Sequence, residues 1–114
     1  MHELPYTEAL LDIVLHEAKG VNANKVNRID IIIGRLSGIM PECVQFAFDV
    51  ISRKTIAEGA KLEFHRTPGK VRCRNCGTTF SSQGFDDLAC PDCKDQKIVV
   101  LAGREFIVDS IACE

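Results

Sequence analysis

The sequence has no tryptophan, one tyrosine and only 6% aromatic residues in 114. A surface that stacks nucleobases or cages a cation with rings has little to be built from. Long apolar runs are missing as well. The longest uncharged apolar stretch is residues 98–102, far short of the roughly 20 residues that cross a bilayer, so no membrane association is expected. Basic charge is not in excess: 14 Lys and Arg face 16 Asp and Glu, a net of −2 with histidine neutral. A dedicated nucleic-acid binder is usually strongly basic. The first dozen residues carry Glu3, Glu8 and Asp12 but no Lys or Arg, unlike the cationic start of a secretory signal. The expected compartment is therefore the cytoplasm. No internal repeat, glycine-rich phosphate loop, Ser-His-Asp order or paired catalytic carboxylates stands out, and no enzymatic activity is expected.

What is present is a globular composition, 46% hydrophobic and 26% charged, sized for one domain with a small satellite. Leu10, Leu11, Val14, Leu15 and Ala18 recur with helical spacing after Pro5, which predicts an amphipathic helix stopping at Gly20. Residues 26–33 set Ile29, Ile31 and Ile33 against Arg28 and Asp30 and predict a strand ending at Gly34. Pro41 opens a second helix with Val44, Ala47, Phe48 and Ile51 on one face. Residues 61–66 alternate again, with Leu62 and Phe64 opposite Glu63 and His65. Strand character returns at residues 98–101 and 105–111, and these late strands are expected to pair with the earlier ones. The expected fold is α+β: a small sheet with two helices, residues 1–69 and 98–114, carrying an inserted module at residues 70–97.

That insertion holds two knuckles, Cys73-Arg74-Asn75-Cys76-Gly77 and Cys90-Pro91-Asp92-Cys93, separated by the 13 residues 77–89. Each knuckle offers two thiolates to one ion, and a short hairpin brings the pairs together into a tetrahedral four-sulfur site. A module this small cannot bury enough apolar surface to fold alone, so the ion replaces a core and its affinity becomes folding energy. Four protein sulfurs leave no open position, which makes the site structural. Zinc is the expected metal; rubredoxin-like iron uses similar knuckles, and disulfides are disfavoured in a reducing compartment. Cys43 and Cys113 read as a small buried residue in the second helix and an incidental thiol.

The chain opens Met1-His2-Glu3. A lone histidine near a terminus reads first as a solvated side chain. The alternative is a chelate: the Met1 amine, the His2 backbone nitrogen and the His2 imidazole close fused rings around one ion, with Glu3 or another group as fourth donor. Nitrogen-rich planar donors suit Ni(II) or Cu(II). His16 and His65 read as surface or packing residues.

Met1-His2-Glu3 together with the paired knuckles resembles the HypA/HybF family of nickel-insertion accessory proteins. Further similar segments are Ile33-Gly34-Arg35-Leu36-Ser37-Gly38, Thr55-Ile56-Ala57-Glu58-Gly59-Ala60-Lys61-Leu62 and Gly103-Arg104-Glu105-Phe106. The resemblance implies a nickel-binding α/β domain with an inserted zinc ribbon. It makes His2 the principal ligand of a transferred Ni(II), assisted by Met1 and Glu3, with Cys73, Cys76, Cys90 and Cys93 on structural Zn(II). It further implies two partners, a nickel-handling GTPase and the precursor of the large subunit of [NiFe] hydrogenase, with urease maturation served by some members. One departure is Lys94-Asp95, where the family often has Gly-Ser. A zinc-ribbon nucleic-acid module remains the alternative, resting on Arg66, Lys70, Arg72 and Arg74 around the first knuckle. A rubredoxin-like electron carrier would leave the helices and strands before Arg66 unexplained.

Overall fold

The computed structural model describes residues 3–114. Helix α1 (Glu3–Gly20) leads to strand β1 (Val26–Gly34) and helix α2 (Pro41–Ile51). Strands β2 (Lys61–Thr67), β3 (Gly69–Cys73) and β4 (Thr79–Ser82) follow, then a 3-10 turn (Phe85–Asp87), β5 (Ile98–Ala102) and β6 (Phe106–Cys113). The strands form two three-stranded sheets, ordered β2-β1-β6 and β4-β3-β5. The chain divides into two compact units: a helical unit of residues 3–32, 39–65 and 107–114, and a ribbon unit of residues 33–38 and 66–106.

In the helical unit, α1 buries Leu10, Leu11, Val14 and Ala18 of the predicted stripe, with Leu15 half-buried at its edge. Pro5 sits in its first turn, where the missing N–H has no intrahelical partner to lose. The helix is closed by Asn22, not by Gly20 itself. Asn22 adopts φ 57°, and its N–H and that of Ala23 return to the carbonyls of Lys19 and Ala18 at 3.0 and 2.9 Å. This is the two-bond ending that satisfies the last carbonyls, and asparagine tolerates the left-handed residue it needs. Pro41 starts α2, with Val44 and Phe48 buried below it. Together with Ile29 and Ile31 of the central strand these side chains form the core of the unit, all of them essentially solvent-free apart from Leu11. Each of them larger than Ala18 contributes roughly 1.5–3 kcal/mol of transfer free energy.

The ribbon unit has a different texture. β3 alternates buried Gly69, Val71 and Cys73 with exposed Lys70 and Arg72. It pairs antiparallel with β4 (Val71 opposite Phe80) and with β5 (Val71 opposite Val100), with a register shift between Lys70 and Val71. Two of the family-like segments meet within this unit. The N–H groups of Gly34 and Leu36 donate to the carbonyls of Glu105 and Gly103 at 2.8 and 2.7 Å. A Cβ on Gly34 would collide with the Gly103 carbonyl, so only glycine admits this approach. The Glu105 carboxylate locks the same turn, accepting the Gly103 N–H and the Thr67 hydroxyl, each at 2.6 Å.

The late strands part company. β6 joins the first sheet, as the sequence suggests, but β5 pairs with β3 beside the knuckles. Ile98-Val99-Val100-Leu101-Ala102 is apolar at every position, so nothing in its pattern distinguishes one sheet from the other.

Candidate metal centre

Local backbone geometry builds the cysteine cluster. In the first knuckle the Gly77 N–H closes back on the Cys73 carbonyl at 3.0 Å, and in the second the Lys94 N–H closes on the Cys90 carbonyl at 2.9 Å. Gly77 and Lys94 occupy equivalent places, one residue past each second cysteine, and both are left-handed, with φ 80° and 65°. The knuckles are thus copies of one turn, and the second forces a lysine into the conformation that glycine takes without strain. This is the structural content of the Lys94 departure.

The turns bring Cys73, Cys76, Cys90 and Cys93 together, with all four sulfurs within 4.8 Å of one another. Across the knuckles, Cys73 Sγ lies 3.6 Å from Cys93 Sγ and Cys76 Sγ lies 3.5 Å from Cys90 Sγ. A tetrahedron with metal–sulfur bonds of about 2.3 Å has edges of about 3.8 Å. The donor set and its spacing therefore fit Zn(II), closed on all four corners. Cys73 and Cys90 are buried, whereas Cys76 and Cys93 are exposed. The environments of the sulfurs differ accordingly. The Cys76 thiol is pulled down to about 6, first by its contact with the Thr78 hydroxyl and then by the Thr78 N–H. At Cys73 the Cys76 N–H favours the thiolate, but burial and the adjoining sulfurs prevail and push it up to about 11. Cys93 is lowered, chiefly by the Asn75 amide, which donates to its sulfur at 3.6 Å. An ion that binds all four as thiolates must displace protons, so metal is lost as acid competes.

Side chains that sequence reading passed over complete the surroundings. Thr78 Oγ1 lies 3.1 Å from Cys76 Sγ and 2.8 Å from an Asp92 carboxylate oxygen, joining the first knuckle to the second. The Lys97 N–H donates to Asp95 at 2.8 Å, and the Cys90 N–H to the Asp95 carbonyl at 2.9 Å. A small polar residue directly after Cys-x-x-Cys-Gly was the available signal for Thr78.

Of the N-terminal candidates, Met1 and His2 lie outside the described residues. Glu3 is buried in the first turn of α1, and its carboxylate accepts the Met40 N–H at 3.3 Å. Among the described residues, the four cysteines are the only group of three or more His, Cys, Asp or Glu that converges on one point.

The remaining candidates fall elsewhere. His16 is exposed. Half-exposed His65 is not simply solvated: its Nε2 pairs with Asp30 at 3.0 Å. Arg28 donates to the same carboxylate at 2.7 and 3.2 Å, and Ser110 at 3.0 Å, so one nearly buried acid ties all three strands of the first sheet together. Arg28, then His65, holds the Asp30 carboxyl well below the usual carboxylate range. Cys43 is exposed rather than buried. It lies on the flank of α2 that lines an apolar groove of about 410 Å³ with Glu3, Leu4, Phe46 and Val50.

The family model described as "Hydrogenase/urease nickel incorporation, metallochaperone, hypA" covers residues 1–113. The chain belongs to the HypA family. A hydrogenase maturation factor HypA of Dehalococcoides mccartyi strain CBDB1 is 45% identical over 111 residues, covering 97% of this chain and 92% of its own. That of Caldanaerobacter subterraneus is 37% identical over 115 residues, with both chains fully covered. The solution structure of the nickel metallochaperone HypA from Helicobacter pylori superposes with a TM-score of 0.66 at 20% identity, over 97% of this chain and 96% of that one. A second HypA solution structure gives 0.69 at 22%, covering 100% and 97%. At these identities the structures establish the shared α+β fold. HypA proteins are metallochaperones of hydrogenase maturation: the family's work is nickel incorporation, not catalysis.

Proposed function

We propose that this chain carries Ni(II) on its first residues and surrenders it during [NiFe] hydrogenase maturation, while Cys73, Cys76, Cys90 and Cys93 hold a resident Zn(II). One observation carries the division. The cysteine cluster provides four sulfurs for one ion and no open corner, so a transferable ion needs another site. No second convergent donor set exists among the described residues, and Met1-His2-Glu3 is the nitrogen-rich alternative. His2 is the principal donor in this reading, through imidazole and backbone nitrogen, with the Met1 amine completing the chelate and Glu3 assisting. Nitrogen and carboxylate donors suit Ni(II), and an open-edged chelate suits handing the ion on.

In this reading the helical unit serves nickel and the ribbon unit, which takes in β5 as well as the inserted residues 70–97, serves zinc. The partners in this reading are a nickel-handling GTPase and the hydrogenase large-subunit precursor, met in the cytoplasm. No described helix is long and apolar enough to cross a membrane. If the Met1 amine ligates, residues fused before Met1 weaken nickel binding much more than the same residues fused after Glu114. Calorimetric titration with Ni(II) reads this directly, and equal affinities for the two fusions exclude the amine.

A further inference from the structure

Charge is divided unequally between the two units. The ribbon unit holds eight Lys and Arg against five Asp and Glu, a net of +3, whereas the helical unit holds six against eleven, a net of −5. The acids and bases of the ribbon unit are also used differently. Four of its five carboxylates are engaged by the unit's own N–H or hydroxyl groups: Asp87 by Ser82 and Gln83, Asp92 by Thr78, Asp95 by Lys97, and Glu105 by Thr67 and Gly103.

Lys70, Arg72 and Arg74, in contrast, are exposed at every second position along β3 and just beyond it. None of them forms an ion pair among the described residues. Alternation puts Lys70 and Arg72 on the face opposite buried Val71 and Cys73, at a spacing of roughly 6.6 Å. Their cross-strand neighbours on β4 are the exposed hydroxyl residues Ser81 and Thr79. The result is a cationic sheet face beside the four-sulfur cluster, flanked by hydroxyls on the β4 side and by Ala102 and Val99 on the β5 side.

We propose that this face docks a short carboxylate-rich segment of a partner protein. Unpaired guanidinium groups bind carboxylates in a bidentate fork, and neighbouring hydroxyls donate to the same oxygens. A long nucleic acid fits less well. No aromatic residue stands among Lys70, Arg72 and their β4 neighbours to stack a base. This inference needs only the ribbon unit and holds whether or not the N-terminus carries nickel.

The test uses the full-length zinc-loaded protein and fluorescence anisotropy with two labelled probes of similar charge, a peptide of about ten glutamates and a short DNA duplex. Two triple variants are compared with the parent. Lys70→Gln, Arg72→Gln, Arg74→Gln strips the face, and Lys19→Gln, Lys25→Gln, Arg53→Gln removes equal charge from the helical unit. Zinc content and thermal midpoint confirm that both fold. The expected result is salt-sensitive binding of the peptide, weakened about tenfold by the first triple variant, as three exposed ion pairs allow, and changed little by the second. Equal loss in both variants, tighter binding of the duplex than of the peptide, or no peptide binding at low salt would each overturn the proposal.

Discussion

The two units of this chain are stabilised by different physics. The helical unit has an ordinary apolar core, with Leu10, Val14, Ile29, Ile31, Val44 and Phe48 essentially solvent-free. The ribbon unit runs from Arg66 to Phe106 plus a short excursion at residues 33–38, and its fully buried set is thin: Ile33, Val71, Cys73 and Cys90 are its largest members. It relies instead on close backbone approach at Gly34 and Gly103, on internally bonded carboxylates, and on four convergent sulfurs. A unit with a core keeps its structure without an ion. In a unit whose core is replaced by donors, metal affinity and folding free energy are one quantity.

The largest expected effect breaks this comparison at its metal side. Cys73→Ser or Cys90→Ser removes one of four thiolates from a site whose structural zinc is worth roughly 10 kcal/mol or more. Zinc is then lost and the ribbon unit's backbone amides exchange freely, while those of α1, β1 and α2 stay protected. Hydrogen exchange combined with zinc analysis reads both halves at once, and loss of protection throughout the chain would show that the units are not independent.

An intermediate effect tests the other side. Asp30 accepts hydrogen bonds from all three strands of the first sheet, and its folded pKa lies below the ordinary value near 4. A depressed carboxyl stabilises the fold above its unfolded pKa, and that contribution disappears as pH falls below about 4. Asp30→Asn should lower the thermal midpoint of the helical unit by several degrees at neutral pH and flatten its acid dependence. Zinc content should not change at neutral pH. An unaltered acid profile would remove Asp30 from the account.

Legibility in the sequence divides along the same line. The stripe on α1 and the start of α2 at Pro41 could be read because helical periodicity and proline act locally. The cysteine cluster could be read because chelation fixes its own spacing. Asp30 was legible only as the polar side of a strand: its partners His65 and Ser110 lie 35 and 80 residues away, and no local pattern announces them. The pairing of β5 was hidden because its five residues are uniformly apolar. Cys43 misled because the flank of α2 that carries it faces a groove rather than the core.

The smallest expected effect sharpens the pseudo-symmetry of the knuckles. Lys94 holds φ 65° where the first knuckle has Gly77. Lys94→Gly relieves strain of about 1–2 kcal/mol, partly offset by the added freedom of the unfolded chain. A net gain of about 0.5–1 kcal/mol remains, visible as slower zinc release to a chelator. Faster release would mean that the Lys94 ammonium, which donates to the Pro91 carbonyl at 3.2 Å, matters more than the strain.

The separation of a resident ion from a transferable one is tested most directly by titrating Ni(II) into the untagged protein near neutral pH, alongside its His2→Ala variant. The parent should take up stoichiometric nickel tightly, and the variant should lose that uptake with its zinc content and fold intact. Unchanged nickel affinity in the variant, or no stoichiometric uptake by the parent, would contradict the account.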